Sequence, residues 1–181
     1  MYFYRTALLF FLITATALAA EQGHKAHRQP HVHGQAQLHI VQQQSQLLIE
    51  LNTPAMNIFG FEHVPNSKQQ QKQVDTVLSS LHDEETAFAI TGGGCMLETI
   101  TVEDPFSHTL DDAEPAKAGS EHAEVTVLYT FLCKQPDSLQ AIDIRLFDAF
   151  NHIEHIQAQW VLNAKQGGAR FNRRDHLLKV N

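Results

Sequence analysis

The chain has 181 residues, with 13 Lys and Arg against 20 Asp and Glu for a formal charge of -7; that length suits one domain and is short for two. A composition 43% hydrophobic and 18% charged excludes a disordered, collagenous or coiled-coil chain. The acidic balance argues against nucleic acid or an anionic membrane surface as a partner. The outlying count is 12 His, the side chain most often used as a metal ligand.

In chain order, residues 1–19 combine Arg5, the apolar stretch Ala7 to Ala17 and the small-residue end Ala17-Leu18-Ala19, the pattern of a cleaved secretory signal. The apolar stretch is shorter than the about 20 residues of a spanning helix, and no Cys near the cleavage point offers a lipid anchor. A soluble, exported, unanchored protein is the expectation. Residues 20–34 hold His24, His27, His31 and His33 with little apolar content and read as a mobile His-rich arm. Residues 35–181 read as one domain.

Within that domain Ala36, Leu38 and Ile40 alternate with polar residues, as do Leu47, Ile49 and Leu51 after the polar turn Gln42 to Ser45, predicting a β-hairpin. An apolar segment, Ala55 to Phe61, leads into Glu62-His63-Val64-Pro65, where the chain changes direction. From the N-cap Ser67, the residues Val74, Val77, Leu78 and Leu81 recur at helical spacing, predicting one amphipathic helix packed on a face. Asp83 caps a short helical turn through Phe88, and Gly92 to Gly94 break the chain before a strand from Cys95 to Val102.

A second strand, Glu121 to Cys133, places Ala123, Val125, Val127, Tyr129 and Phe131 on one side. The two cysteines of the chain, Cys95 and Cys133, are expected to form a disulfide in an exported protein. That bond makes the two strands antiparallel and sets Val102 opposite Thr126. Between them Glu103 to Ser120 forms an acidic loop that is either simply solvated or gathers cations. After Pro136 come strands over Ala141 to Phe147 and His155 to Leu162, with a turn at Gly167-Gly168. The predicted class is α+β: a mainly antiparallel sheet, one amphipathic helix on a face and one disulfide in a single domain.

The sharpest chemical motif is His31-Val32-His33-Gly34. In an extended chain two residues apart means one side, roughly 7 Å along the backbone, so both imidazoles can reach one ion. Three or four ligands are usual, which makes His63 and His122 the natural partners. Glu62 and Glu124 could ligate or orient an imidazole, and His24, His27 and His108 are accessory candidates. His39, roughly 20 Å further along an extended strand, reads as a surface residue. His152-Ile153-Glu154-His155 matches neither HExxH nor HxxEH spacing, and nothing else in the chain pairs an acid with a base for turnover, so no enzyme is expected.

The order HVHG at 31–34, Pro54 and Asn57, Gly60-Phe61-Glu62-His63-Val64-Pro65, Cys95, His122, Tyr129-Thr130-Phe131-Leu132-Cys133 and Leu146-Phe147-Asp148-Ala149-Phe150 resembles the ZrgA-like family of periplasmic zinc-binding proteins, over nearly the whole chain beyond the signal. The resemblance implies a periplasmic, Zn²⁺-binding component of zinc acquisition in a Gram-negative envelope, serving an inner-membrane transporter or its periplasmic component. Some members carry a long loop of His and Asp before the second Cys strand. Here Glu103 to Ser120 has His108 as its single internal His, which leaves one or a few sites rather than a multi-ion store.

Three readings follow. The first is capture of Zn²⁺ by His31, His33, His63 and His122 for delivery to a transporter. The second is an exported interaction module of an envelope transport system without a tight metal site. The third is a copper-handling protein, because imidazole also suits Cu²⁺ and Ni²⁺.

Overall fold

The computed structural model describes residues 32–106 and 123–180; the predicted signal at 1–19, His24, His27, His31, His108 and His122 lie outside the described residues. Strand β1 (Gln35–Gln43) turns through Gln44 and Ser45 into β2 (Gln46–Pro54). As the alternation predicts, Ala36, Leu38, Ile40, Leu47, Ile49 and Leu51 are buried while the residues between them are exposed or half-exposed. Pro54 then starts α1 (Ala55–Phe59), a single turn that ends where Gly60 takes a φ of 81°, a left-handed value suited to glycine.

Helix α2 (Lys68–Leu81) begins at Ser67, whose side chain accepts from the Gln70 amide. Val74 and Leu81 are buried, and Val77 and Leu78 pack partly on the core. Where one amphipathic helix is expected, α2 is accompanied by the short helices α1 and α3 (Glu84–Ala87), both of which it contacts. Phe88, expected to end the α3 turn, instead opens β3 (Phe88–Gly92).

Strands β4 (Cys95–Glu103) and β5 (Glu124–Cys133) are antiparallel and joined by the Cys95–Cys133 disulfide. Their register differs by one from the even count, so that Val102 faces Val127 rather than Thr126. An irregularity between Leu97 and Thr99 leaves Glu98 out of the pairing, as an extra residue in one strand does at a β-bulge. The inward side of β5 is Val125, Val127, Tyr129, Phe131 and Cys133, all buried.

A 3-10 turn (Pro136–Ser138) precedes β6 (Leu139–Ile144), α4 (Leu146–Ala149), β7 (His155–Leu162), β8 (Lys165–Asn172) and β9 (Leu177–Lys179). The predicted turn at Gly167-Gly168 falls inside β8. Reversal occurs at Asn163 and Ala164, with φ of 50° and 58°, the conformation of a type I′ hairpin turn. Gly167 has a packing role instead: it lies opposite Trp160, and a methyl group there would fall 2.5 Å from the indole ring.

Among the described residues the strands form two sheets, β4-β5-β2-β1-β7-β8 and β3-β6-β9. Every pair is antiparallel except β1 with β7, which run parallel with Gln35 beside His155. The α+β class therefore holds, with a second sheet and a parallel seam added. Tyr129 links β5 to the helical layer by donating its phenol hydrogen to the Leu81 carbonyl over 2.9 Å. Burial, and next the charge of Asp83, push the Tyr129 phenol well above its ordinary pKa, so it remains a donor at neutral pH.

Candidate metal site

The start of β1, the end of β2 and the start of β5 lie at one end of the large sheet, opposite the disulfide. There Val32 to Gln35 form a tight turn, while His31 lies outside the described residues. The Gln35 amide donates to the Val32 carbonyl over 3.0 Å, and Gly34 has a φ of 82°, the backbone that the third residue of a type II turn requires. His33 is thus carried on a tight turn, its side chain 60% exposed.

Asn57 is what holds the turn. It is 1% exposed and its Oδ1 accepts from the Gly34 amide at 2.8 Å, while its Nδ2 donates to the Gln35 carbonyl at 2.8 Å and to Thr53 Oγ1 at 3.0 Å. A buried amide with its donors and acceptor satisfied fixes the geometry around it. Helix α1 therefore serves to bring one buried side chain against the HVHG turn. Nothing in the sequence pattern flags this role, although Asn57 lies among the motif residues quoted above.

After α1 the chain lays down Phe61, Glu62 and His63. Phe59, Phe61 and Phe106 form a buried aromatic cluster, with Phe61 and Phe106 centroids 5.6 Å apart. Glu62 projects from this floor, and its Oε1 lies 3.2 Å from His33 Nε2. Two donors on one tetrahedral zinc ion, each at about 2.0–2.1 Å, are themselves about 3.3 Å apart. The observed separation is therefore that of two neighbouring ligands, and an ion can replace the hydrogen bond without moving the backbone. Imidazole with carboxylate is also a donor set that zinc accepts.

His63 stacks on Phe61 with centroids 5.2 Å apart, and its Nδ1 lies 3.0 Å from the Val64 carbonyl. A carbonyl only accepts, so Nδ1 carries the hydrogen and Nε2 keeps a free lone pair, the form a metal-binding imidazole needs. Glu124 is exposed at the first position of β5, opposite Pro54. Next to it the Ala123 carbonyl accepts from the Ala55 amide over 2.8 Å, which roots the strand beside α1. Among the described residues, no three or more His, Cys, Asp or Glu side chains are already grouped to hold one ion. The structure thus brings together His33 and Glu62, the second of which sequence reasoning ranked only as accessory, and leaves His63 and Glu124 as separate neighbours. His39 is a surface residue as expected, 3.5 Å from Glu50.

These features define a class: a small, disulfide-closed α+β body that presents an exposed imidazole–carboxylate pair at one end of its sheet. Residues 30–180 match the model of the ZrgA family zinc uptake protein, and the chain belongs to that family. No curated protein shows a significant match to it. Among the described residues no helix is long and apolar enough to cross a membrane.

Proposed function

We propose that this chain is a periplasmic Zn²⁺-binding protein, exported by the segment 1–19, that captures the ion at the HVHG turn and passes it to an inner-membrane transporter or its periplasmic component. The observation that carries the reading is the 3.2 Å separation of His33 Nε2 and Glu62 Oε1 on a turn fixed from within by Asn57. His31, His63 and His122 supply further imidazoles for arrival and hand-off, and Cys95 and Cys133, being bonded to each other, supply no thiolate. The binding is non-catalytic: the pair orients and neutralises a cation and has no role in turnover.

The test is a zinc titration of the purified exported chain against a competing chelator, beside a His33→Ala/Glu62→Ala variant. Near-stoichiometric binding weakened by about 100-fold or more is expected in the variant, since even residues that only support ligands are worth about 10- to 100-fold. Equal affinity in the two proteins would remove the reading and favour the interaction module. Because neutral imidazole is the ligand form and protons compete for it, affinity should fall on acidification; affinity unchanged at pH 5 would rule out imidazole ligation.

A further inference from the structure

The two sulfurs of the disulfide, at the other end of the large sheet, are placed unequally. Cys133 is 2% exposed and sits on β5, which lies between β4 and β2. Its amide donates to the Ser45 carbonyl over 2.7 Å, so the hairpin tip lies against it. Cys95 is only half-buried and sits on β4, which among the described residues is the outermost strand of its sheet.

Strand β3, an edge strand of the small sheet, leads into β4 through Gly93 and Gly94, yet the two strands belong to different sheets. A cleft of about 800 Å³ opens between them. The apolar side chains of Phe88, Ile90, Leu97 and Phe131 line it together with Cys95. A methyl group on Gly93 would lie 3.0 Å from Cys95 Sγ, so at this glycine the backbone passes the sulfur with no side chain to cover it.

In thiol–disulfide exchange a thiolate attacks one sulfur and expels the other, approaching from the side away from the sulfur it expels, so access to each sulfur governs the rate. Cys95 and Cys133 are directly paired across β4 and β5, and their bond therefore runs across the sheet. For Cys95 the line of attack comes from the open edge of β4, where the cleft lies. For Cys133 it comes from β2, whose Leu47 is fully buried opposite Phe131. We propose that Cys95 Sγ is the sulfur at which this disulfide is opened and formed, by an incoming thiolate seated in the cleft. The thiolate bonds to Cys95 Sγ, the Sγ–Sγ bond breaks, and its electron pair leaves on Cys133 Sγ, which takes a proton from water. A second thiol then displaces the first from Cys95. Two thiols are thereby oxidised to a disulfide, and the protein gains two electrons and two protons. Formation is the reverse, through the same mixed disulfide on Cys95. Expelling a buried thiolate slows the opening, but a poor leaving group only lowers a rate, whereas a line of attack filled by a strand forbids the step.

The experiment exposes the oxidised, folded chain to two thiol sources. One is glutathione; the other is an oxidoreductase with a Cys-x-x-Cys site whose second cysteine is replaced, so that the mixed disulfide is held. Samples are quenched in acid, alkylated in denaturant and mapped by peptide mass spectrometry. The adduct should sit on Cys95, with Cys133 alkylated, about 10-fold or more in excess over the reverse, and should form at a rate proportional to thiol concentration. In concentrated urea the preference should vanish, because both sulfurs are then open. Whichever source gives the Cys95 adduct is the kind of thiol that the cleft admits. An even split in the folded protein, an excess on Cys133, or opening at a rate independent of thiol concentration, as when unfolding must come first, overturns the proposal.

Discussion

At the Cys133 end of β5 the chain is closed by a covalent bond to Cys95, and the Cys133 amide donates to the Ser45 carbonyl at the hairpin tip over 2.7 Å. At the Glu124 end, about 30 Å away by strand rise, stability comes from hydrogen bonds to one buried amide, and the side chains presented are His and Glu. The contrast is a division along one sheet: the covalent constraint that resists unfolding lies away from the His33–Glu62 pair proposed above to take up an ion. Replacing both cysteines by Ala tests the division most severely. With a sequence separation of 38, the chain-entropy model assigns the bond about 4 kcal/mol, read as a lower midpoint in urea. Zinc affinity of the folded variant should equal that of the parent; a tenfold fall would mean the ends are coupled.

The opposite end is probed by Asn57→Ala. This change leaves the Gly34 amide, the Gln35 carbonyl and Thr53 Oγ1 without the partner they have now. Buried groups stripped of partners cost about 1–3 kcal/mol each before relaxation, so a loss of about 2–3 kcal/mol overall is expected. Unlike the cysteine change, it should also weaken zinc binding, because the turn that aims His33 is released. Asn57→Asp keeps the acceptor facing Gly34 but loses both donated bonds, and should sit between the parent and Asn57→Ala in unfolding experiments. If Asn57→Ala lowers stability and leaves zinc affinity untouched, the turn is held by other means.

The difference between the two ends is also a difference in what a sequence can disclose. Alternation made β1, β2, β5 and β7 legible, because Leu38, Ile49, Val127 and Ala158 each repeat a two-residue period that only a half-buried strand satisfies. The even count of two cysteines, read with the expectation of export, made the cysteine bond legible without any knowledge of the fold. What was not legible depended on contacts between distant residues or on single positions. Strands β3 and β9, with five and three residues, are too short to carry a period. The parallel pairing of β1 with β7 joins Gln35 to His155 across most of the domain, and the unpaired Glu98 shifts a register that the disulfide alone sets one residue off. At the site, His33 and Glu62 were visible as donors from their motifs. Asn57 was not visible as a holder, since a buried polar residue has no pattern.

The smallest expected effect concerns the bond that ties β5 to the helices midway between the two ends. Tyr129→Phe removes the hydrogen bond to the Leu81 carbonyl and should cost about 1 kcal/mol at neutral pH, with no effect on zinc. Its alkaline behaviour is more diagnostic. The folded phenol has its pKa raised by burial and by Asp83, whereas the unfolded phenol titrates near 10. Its contribution to stability is therefore complete below pH 10 and is lost as pH rises from there toward the folded value, at up to about 1.4 kcal/mol per pH unit. The Phe variant lacks this component, so its stability should decline less steeply above pH 10. In a chain prepared to begin at Ala20, Tyr129 is the one tyrosine, because Tyr2 and Tyr4 precede that point. Tyrosinate absorbance should then stay absent through pH 10 and appear only together with unfolding; a free titration centred on pH 10 in the folded protein would show that the phenol is not held by Leu81.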